Sequence, residues 1–480
     1  MTTLGRGIPD GLNRVAPVVG LVAVAALGGV AVAASQPLFL LPALLLLALA
    51  GLSSFGAVPK SALLVWVALG PALFPFVRYP VTSKSIVTFD RVWVLGLGLL
   101  SFAAITDLSS ASRYTRSAIH WFAALSLVVL GRALLGSAAG NSGSTIWVDA
   151  FLIPLVVLLL VRSAVDTREY ADRILLALGV GGAIAALLAV AETVMGFSLA
   201  TYSGGLARAD LEAGVVRAAG PYDVPEVFVA VVLTTLAATL CWALRRGQRS
   251  YPVAGVLIFI QVSGIFLSYF RTGWAAALLL IVGSLAIRKG RSQRGVAIAI
   301  VALALVAVLG GQIAQSDQAV STRLNNSNNT YGRIAAYQQG LMIVEGSPLV
   351  GVGVGGYHTT AESMAPVWFN GVRGVTYPHN TFLQILAEAG ILGLITLLGC
   401  GWAIVRLLRR FWGRAAEVPD QHLALGGMLA CSAYVLYGLP LAMIEYGAPS
   451  MALFTILGVC FARFDQLELA SPTGGGANGY

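Results

Sequence analysis

Runs of roughly 17–25 apolar residues recur along nearly the whole chain, each long enough to cross a bilayer as a helix. In hydrocarbon every backbone N–H and C=O must be satisfied within the protein, so such runs leave α-helices as the open solution. A β-barrel would need short alternating strands instead. The composition agrees: 58% of residues are hydrophobic, 11% are charged, and the mean hydropathy is +0.83. The expected fold is an all-α polytopic membrane protein, with residues 1–480 forming a single integral membrane domain.

Charge placement orients the spans. The net charge is +9, but roughly two-thirds of the Lys and Arg fall on alternate loops, as the positive-inside rule requires. No basic patch is interleaved with aromatics, so nucleic acid is not an expected partner. About fourteen spans satisfy the rule with both termini cytoplasmic. They cover 15–34, 37–55, 61–77, 92–105, a fifth from Ile119, 146–160, 174–194, 227–244, 251–270, a tenth from Thr272, 296–311, a twelfth from Thr381, 423–443 and 449–461. Ala31-Val32-Ala33 imitates a signal-peptidase site, yet the first run is long for a signal peptide and reads as an uncleaved span. The extracytoplasmic loops of interest are 196–226 and 312–379, and 465–480 is read as a flexible cytoplasmic tail. Cys241, Cys400, Cys431 and Cys460 lie in or beside apolar runs without ligand spacing and read as small core residues. Nothing in the sequence calls for a metal or another cofactor.

Residues 312–379 form the longest polar segment, and its exit carries the strongest local signal. Tyr377-Pro378-His379-Asn380-Thr381 leads into an apolar helix through Glu388 and Gly390. Asn380 or Thr381 can cap that helix, which puts His379 at the positive end of a helix dipole, where an imidazole pKa is depressed. His379 and Gly390 are about three turns apart and are expected on nearly the same face. Earlier in the segment, Ser321 to Thr330 reads as a mobile polar loop, and an amphipathic helix lying against the membrane is expected over Gly332–Ile343, with Arg333 at its start and Ile334, Tyr337, Leu341 and Val344 on one face. The glycine-rich stretch from Pro348 to Tyr357 lacks the Gly-Lys-Ser/Thr of a P-loop and reads as tight turns packed on the core.

Outside the membrane a synthetic reaction must draw its energy from a membrane-borne activated donor. A diphosphate leaving group calls for arginines, with fixed charge and bidentate donors. The topology delivers Arg217, Arg271 and Arg333 to one face, where interfacial snorkelling is the bland alternative for Arg217 and Arg271. Arg132 is an exception to the charge bias. Glu388 is expected to bond within the bundle, while His120 and His422 read as structural and His358 as a weaker candidate than His379.

At these residues the chain resembles the O-antigen ligase and polymerase superfamily of bacterial membrane glycosyltransferases. Three stretches carry the likeness: Ser268-Tyr269-Phe270-Arg271-Thr272-Gly273-Trp274, Arg333 through Gly353, and Pro378-His379-Asn380-Thr381 through Gly390. The first departs from the family pattern in placing Tyr269 and Phe270 between Ser268 and Arg271, and the span count exceeds the family's usual dozen. The resemblance implies metal-independent glycan transfer from an undecaprenyl-diphosphate carrier to a glycan or lipid acceptor, in a bacterial inner membrane. Arg271 and Arg333 would hold the diphosphate, Arg217 would assist, and His379 would be the general base. A ligase moves a finished chain to another anchor, whereas a polymerase extends it on a lipid-linked repeat. A flippase or anion transporter is the reading of another class; it predicts charges along a mid-span pathway, for which Glu192 and Glu388 are the residues available.

Overall fold

The computed structural model describes residues 58–73, 78–79, 87–136, 142–195, 209–210, 215–222, 224–286 and 327–470. The expected spans at 15–34, 37–55 and 296–311 lie outside these, as do Ser321 to Asn326 and residues 471–480. The described chain is almost entirely helical, with three two-residue antiparallel hairpins. In order, the helices are α1 (Lys60–Leu73), α2 (Phe89–Leu100), α3 (Phe102–Thr106), α4 (Arg113–Leu135), α5 (Ser142–Trp147), α6 (Ile153–Ala164), α7 (Arg168–Met195), α8 (Pro225–Arg246) and α9 (Tyr251–Leu267). They continue as α10 (Arg271–Ala286), α11 (Asn328–Gly346), α12 (Tyr357–Ser363), α13 (Thr381–Arg414), α14 (Val418–Gly438) and α15 (Gly447–Ala470). Among the described residues, six helical stretches are long and apolar enough to cross a membrane.

Two of these helices, α8 and α9, form a single apolar stretch interrupted by a 3-10 turn at Gly247–Ser250, where Gly247 with φ +72° admits the reversal. That the chain does reverse is fixed by Arg217, which reaches both Glu226 at the start of α8 and the Ser268 carbonyl just past α9. The bundle is sealed by small residues. A Cβ at Gly182 of α7 would meet Thr235 Oγ1 of α8 at 1.8 Å, so the two helices approach backbone to backbone there. Cys241 and Cys460 pack as small core residues against Gly426 and Gly427.

Arginines read as charge-rule markers turn out to be ion-paired at one end of the bundle. Arg162 meets Asp465 at 2.8 Å, Arg245 meets Asp172 at 2.6 Å, and Asp420 receives Arg463 at 3.1 Å and Arg168 at 3.0 Å. Charges at this depth persist only when compensated. Asp172 and Glu192 mark the two ends of α7, about 30 Å apart along the axis, which matches a hydrocarbon core. At the belt end α15 stays helical to Ala470, so the first residues of the expected tail belong to it.

Candidate active site

The end opposite the ion-pair belt gathers the polar groups that chemistry can use. The entry to α13 is fixed by hydrogen bonds on both sides of the chain. Asn380 caps the helix, its Oδ1 accepting from Leu383 N at 2.9 Å, while its Nδ2 donates to the Leu439 carbonyl. Thr381 Oγ1 donates to the Leu441 carbonyl and accepts from Met443 N. The α14–α15 connection thus clamps the helix mouth.

His379 sits just ahead of the cap with φ +45°, a left-handed conformation costing a non-glycine residue on the order of 1–3 kcal/mol. The surrounding bonds hold it there. Tyr337 of α11 donates its hydroxyl to the His379 carbonyl at 3.1 Å, and the Tyr377 ring stands edge-on to the imidazole with centroids 5.0 Å apart. The buried Nδ1 has no hydrogen-bond partner. Burial, followed by the nearby Arg333 guanidinium, pushes the imidazole pKa down to about 4, against an opposing pull from Glu226. The depressed pKa expected from the helix dipole is present, but burial and Arg333 are its causes. A neutral imidazole is therefore the resting form near pH 7.

The expected face shared by His379 and Gly390 does not exist, because neither residue has helical backbone. Gly390 adopts φ +67° and breaks α13, and a Cβ there would meet the Leu349 carbonyl oxygen at 2.2 Å. The freed backbone groups are taken up by the glycine-rich turns. Val352 N donates to Ala387 O, Gly353 N to Glu388 O, and Ile391 N to Pro348 O. Gly351, Gly353 and Gly355 all have positive φ, so the stretch is the tight packing its sequence suggested. Arg132, the exception to the charge bias, donates to the Gly351 carbonyl at 2.9 Å. Glu388 is buried beneath this loop and accepts from Tyr357 N at 3.3 Å, so its bond runs to the loop segment and not to another helix of the bundle.

Arg333 lies in the second turn of α11, one turn before Tyr337, and not at the helix start. The side of α11 that packs on the protein is a different one from the face expected against the membrane. Small residues Ala335, Ala336 and Gly340 are buried with Ile343, while Leu341 is 53% exposed. Close packing of Gly340 on Leu383 and the Tyr357 hydroxyl explains this, since a larger side chain would hold α11 off α13.

Arg217 is part of a clamp. Its Nε donates to the Ser268 carbonyl at 3.0 Å and its Nη1 pairs with Glu226 at 2.9 Å, while the following Ala219 and Gly220 N–H groups donate to Glu192. Glu192 thus caps a turn. Arg271 opens α10 and is exposed. It is tied to the same corner through Phe270, whose ring packs 5.3 Å from Tyr437. Tyr437 donates to the Glu226 carbonyl at 2.7 Å and feels the charges of both Arg217 and Arg333. The structure therefore gathers Arg217, Arg333 and His379 around Glu226 and Tyr437, with Arg271 at the rim.

Glu226, Tyr337, Tyr377, Tyr437 and Glu445 were not legible as site residues. Glu226 follows a proline at a helix start, which reads as ordinary complement to a helix dipole. Glu445 accepts from Gln384 Nε2 at 2.8 Å, and burial pushes its pKa up to about 7. His358 is exposed on α12, with Nε2 3.2 Å from Glu362, and His422 faces the Leu244 carbonyl at the other end. Among the described residues no group of three or more His, Cys, Asp or Glu side chains could hold a metal ion.

The family comparison falls on this region. Residues 254–398 match the family model described as O-antigen ligase. That stretch contains Arg271, Arg333 and His379, but not Arg217. A 70-residue segment is 39% identical to "Exopolysaccharide production protein ExoQ" of Rhizobium meliloti (strain 1021), covering 14% of this chain and 16% of that protein.

Proposed function

We propose, from the match of residues 254–398 to the family model described as O-antigen ligase, that the chain is a membrane enzyme of the O-antigen ligase and polymerase superfamily, acting in cell-surface polysaccharide biosynthesis. It transfers a glycan from an undecaprenyl-diphosphate carrier to an acceptor hydroxyl. The observation that carries this reading is a half-buried imidazole with an unpartnered Nδ1, held at a capped helix mouth within range of the Arg333 charge. His379 takes the proton of the acceptor hydroxyl as its oxygen attacks the anomeric carbon. The anomeric C–O bond to the diphosphate breaks and its electron pair leaves with the phosphate oxygen. Arg333 and Arg271 hold the charge that builds there, and Arg217 assists while keeping its bond to Glu226. The His379 end faces the extracytoplasmic side of a bacterial inner membrane, and the ion-pair belt faces the cytoplasm with both termini. The reaction uses no metal.

Ligase-type transfer to a separate acceptor is the preferred form, because a single His stands with arginines at one site. Polymerase activity is the second reading. The deciding experiment supplies purified protein in lipid with a lipid-diphosphate-linked oligosaccharide and candidate acceptors, with and without EDTA. A single shift onto the acceptor is the ligase result and a product ladder the polymerase result. Either should survive EDTA and be lost in His379→Ala; undiminished turnover in that variant would overturn the general-base assignment. Donor crossing the bilayer without transfer would favour a flippase.

A further inference from the structure

The arginines at the belt end of the bundle form two sets. Arg162, Arg168, Arg245 and Arg463 each meet a carboxylate. Arg113, Arg116, Arg406, Arg409 and Arg410 are all exposed, and none pairs with a carboxylate among the described residues. Three of these guanidiniums surround one ring. Arg113, Arg406 and Arg410 lie 4.9, 5.3 and 5.9 Å from the centroid of Tyr114. A tyrosine face contributes about 0.5–1 kcal/mol per exposed cation and supplies no negative charge, so the three guanidiniums keep their net positive charge. An open groove of about 600 Å³ runs beside them along α4, lined by Arg113, Arg116, Ser117, His120, Trp121 and Ala124.

What lies below the arginines is apolar and equally exposed. Trp121 packs over Gly399 of α13, where a Cβ would meet its ring at 2.5 Å. Trp402 is 65% exposed and Leu398 55%. Both tryptophans stand eight residues from an arginine of the cluster, Trp121 from Arg113 and Trp402 from Arg410, which is about 12 Å along each helix. Cations above, tryptophans at one level and aliphatic side chains beneath reproduce the polarity profile of a phospholipid.

We propose that this cluster binds the phosphate headgroup of an anionic phospholipid, whose acyl chains lie along the Trp121 and Leu398 surface of α4 and α13. The site is at the opposite end of the bundle from His379 and stands independently of the transfer reaction. Guanidiniums give phosphate bidentate bonds, and the headgroup supplies the negative charge that no carboxylate among the described residues brings to this cluster.

The test is native mass spectrometry of the full-length protein after exchange into mixed phosphatidylglycerol and phosphatidylcholine. The wild type should retain phosphatidylglycerol preferentially. Arg406→Gln with Arg410→Gln should lower that retention at least tenfold, while Arg173→Gln with Arg414→Gln, which removes the same charge from carboxylate-facing arginines, should not. Arg406→Lys with Arg410→Lys should keep part of the preference. Equal loss in both Gln pairs would overturn the proposal in favour of unspecific surface charge. Displacement of the lipid by inorganic pyrophosphate at similar concentration would overturn it in favour of a soluble phosphate site.

Discussion

Tyr337 donates its hydroxyl to the backbone carbonyl of His379 at 3.1 Å, so one helix carries both the Arg333 charge and the tether that holds the imidazole in its left-handed backbone conformation. Tyr337→Phe removes the bond and keeps the ring. The expected cost is about 0.5–1.5 kcal/mol of stability, with a larger fractional fall in kcat, because the base loses its position. Thermal unfolding in detergent and the transfer assay check the two parts separately.

Arg333 and His379 are coupled by charge, and the sign is definite. A nearby cation disfavours the imidazolium, so Arg333→Gln should raise the His379 pKa from about 4 towards its ordinary value, with burial still holding it below. The acid limb of kcat/KM moves up accordingly, and histidine NMR titration reports the same shift. A bound diphosphate would offset Arg333 in the wild type. The acid limb of kcat should then lie at higher pH than that of kcat/KM.

Glu226 holds Arg217 in a partly buried pair at 2.9 Å. Glu226→Gln and Arg217→Gln should each destabilise the protein, and the double variant should cost less than their sum. A coupling energy of about 0.5–3 kcal/mol from the double-mutant cycle is expected. Additivity would mean the pair contributes nothing.

Gly390→Ala places a Cβ against the Leu349 carbonyl at 2.2 Å on a backbone with φ +67°. A loss on the order of 3 kcal/mol is expected from strain and from displacing the glycine-rich turns. Proteolysis of the Pro348–Tyr357 stretch, followed by mass spectrometry, should show it released.

At the other end, Asp420→Ala leaves Arg463, Arg245 and Arg168 without their shared carboxylate. Removing one partner of a buried pair costs about 3–5 kcal/mol, which makes this variant more damaging than removal of any exposed arginine. Thermal unfolding beside Arg409→Ala measures the contrast.

The hydrophobic runs alone determined the helical membrane class, since hydrocarbon leaves the backbone no other way to satisfy itself. Local chemistry was equally legible where it depends on neighbours in the chain. Asn380 is the cap, and the turns after Pro348 are tight because their glycines adopt positive φ. What failed was whatever required knowing the neighbour across space. Helical spacing marked the large side chains of α11 as a membrane-facing stripe, but nothing in it announced that Ala335, Ala336 and Gly340 would be the side packed on α13. Counting turns put His379 and Gly390 on one face, but His379 precedes the helix and the loop at Leu349 demanded a break at Gly390 itself. Glu226 and Tyr437 are 211 residues apart, and nothing local to either announces a shared corner with Arg217. The depressed imidazole was foreseen from the helix dipole, a property of one segment. Its causes, burial and Arg333, exist only when α11, α13 and the α14–α15 connection close around His379, because desolvation and Coulomb terms depend on distance in space and not along the chain.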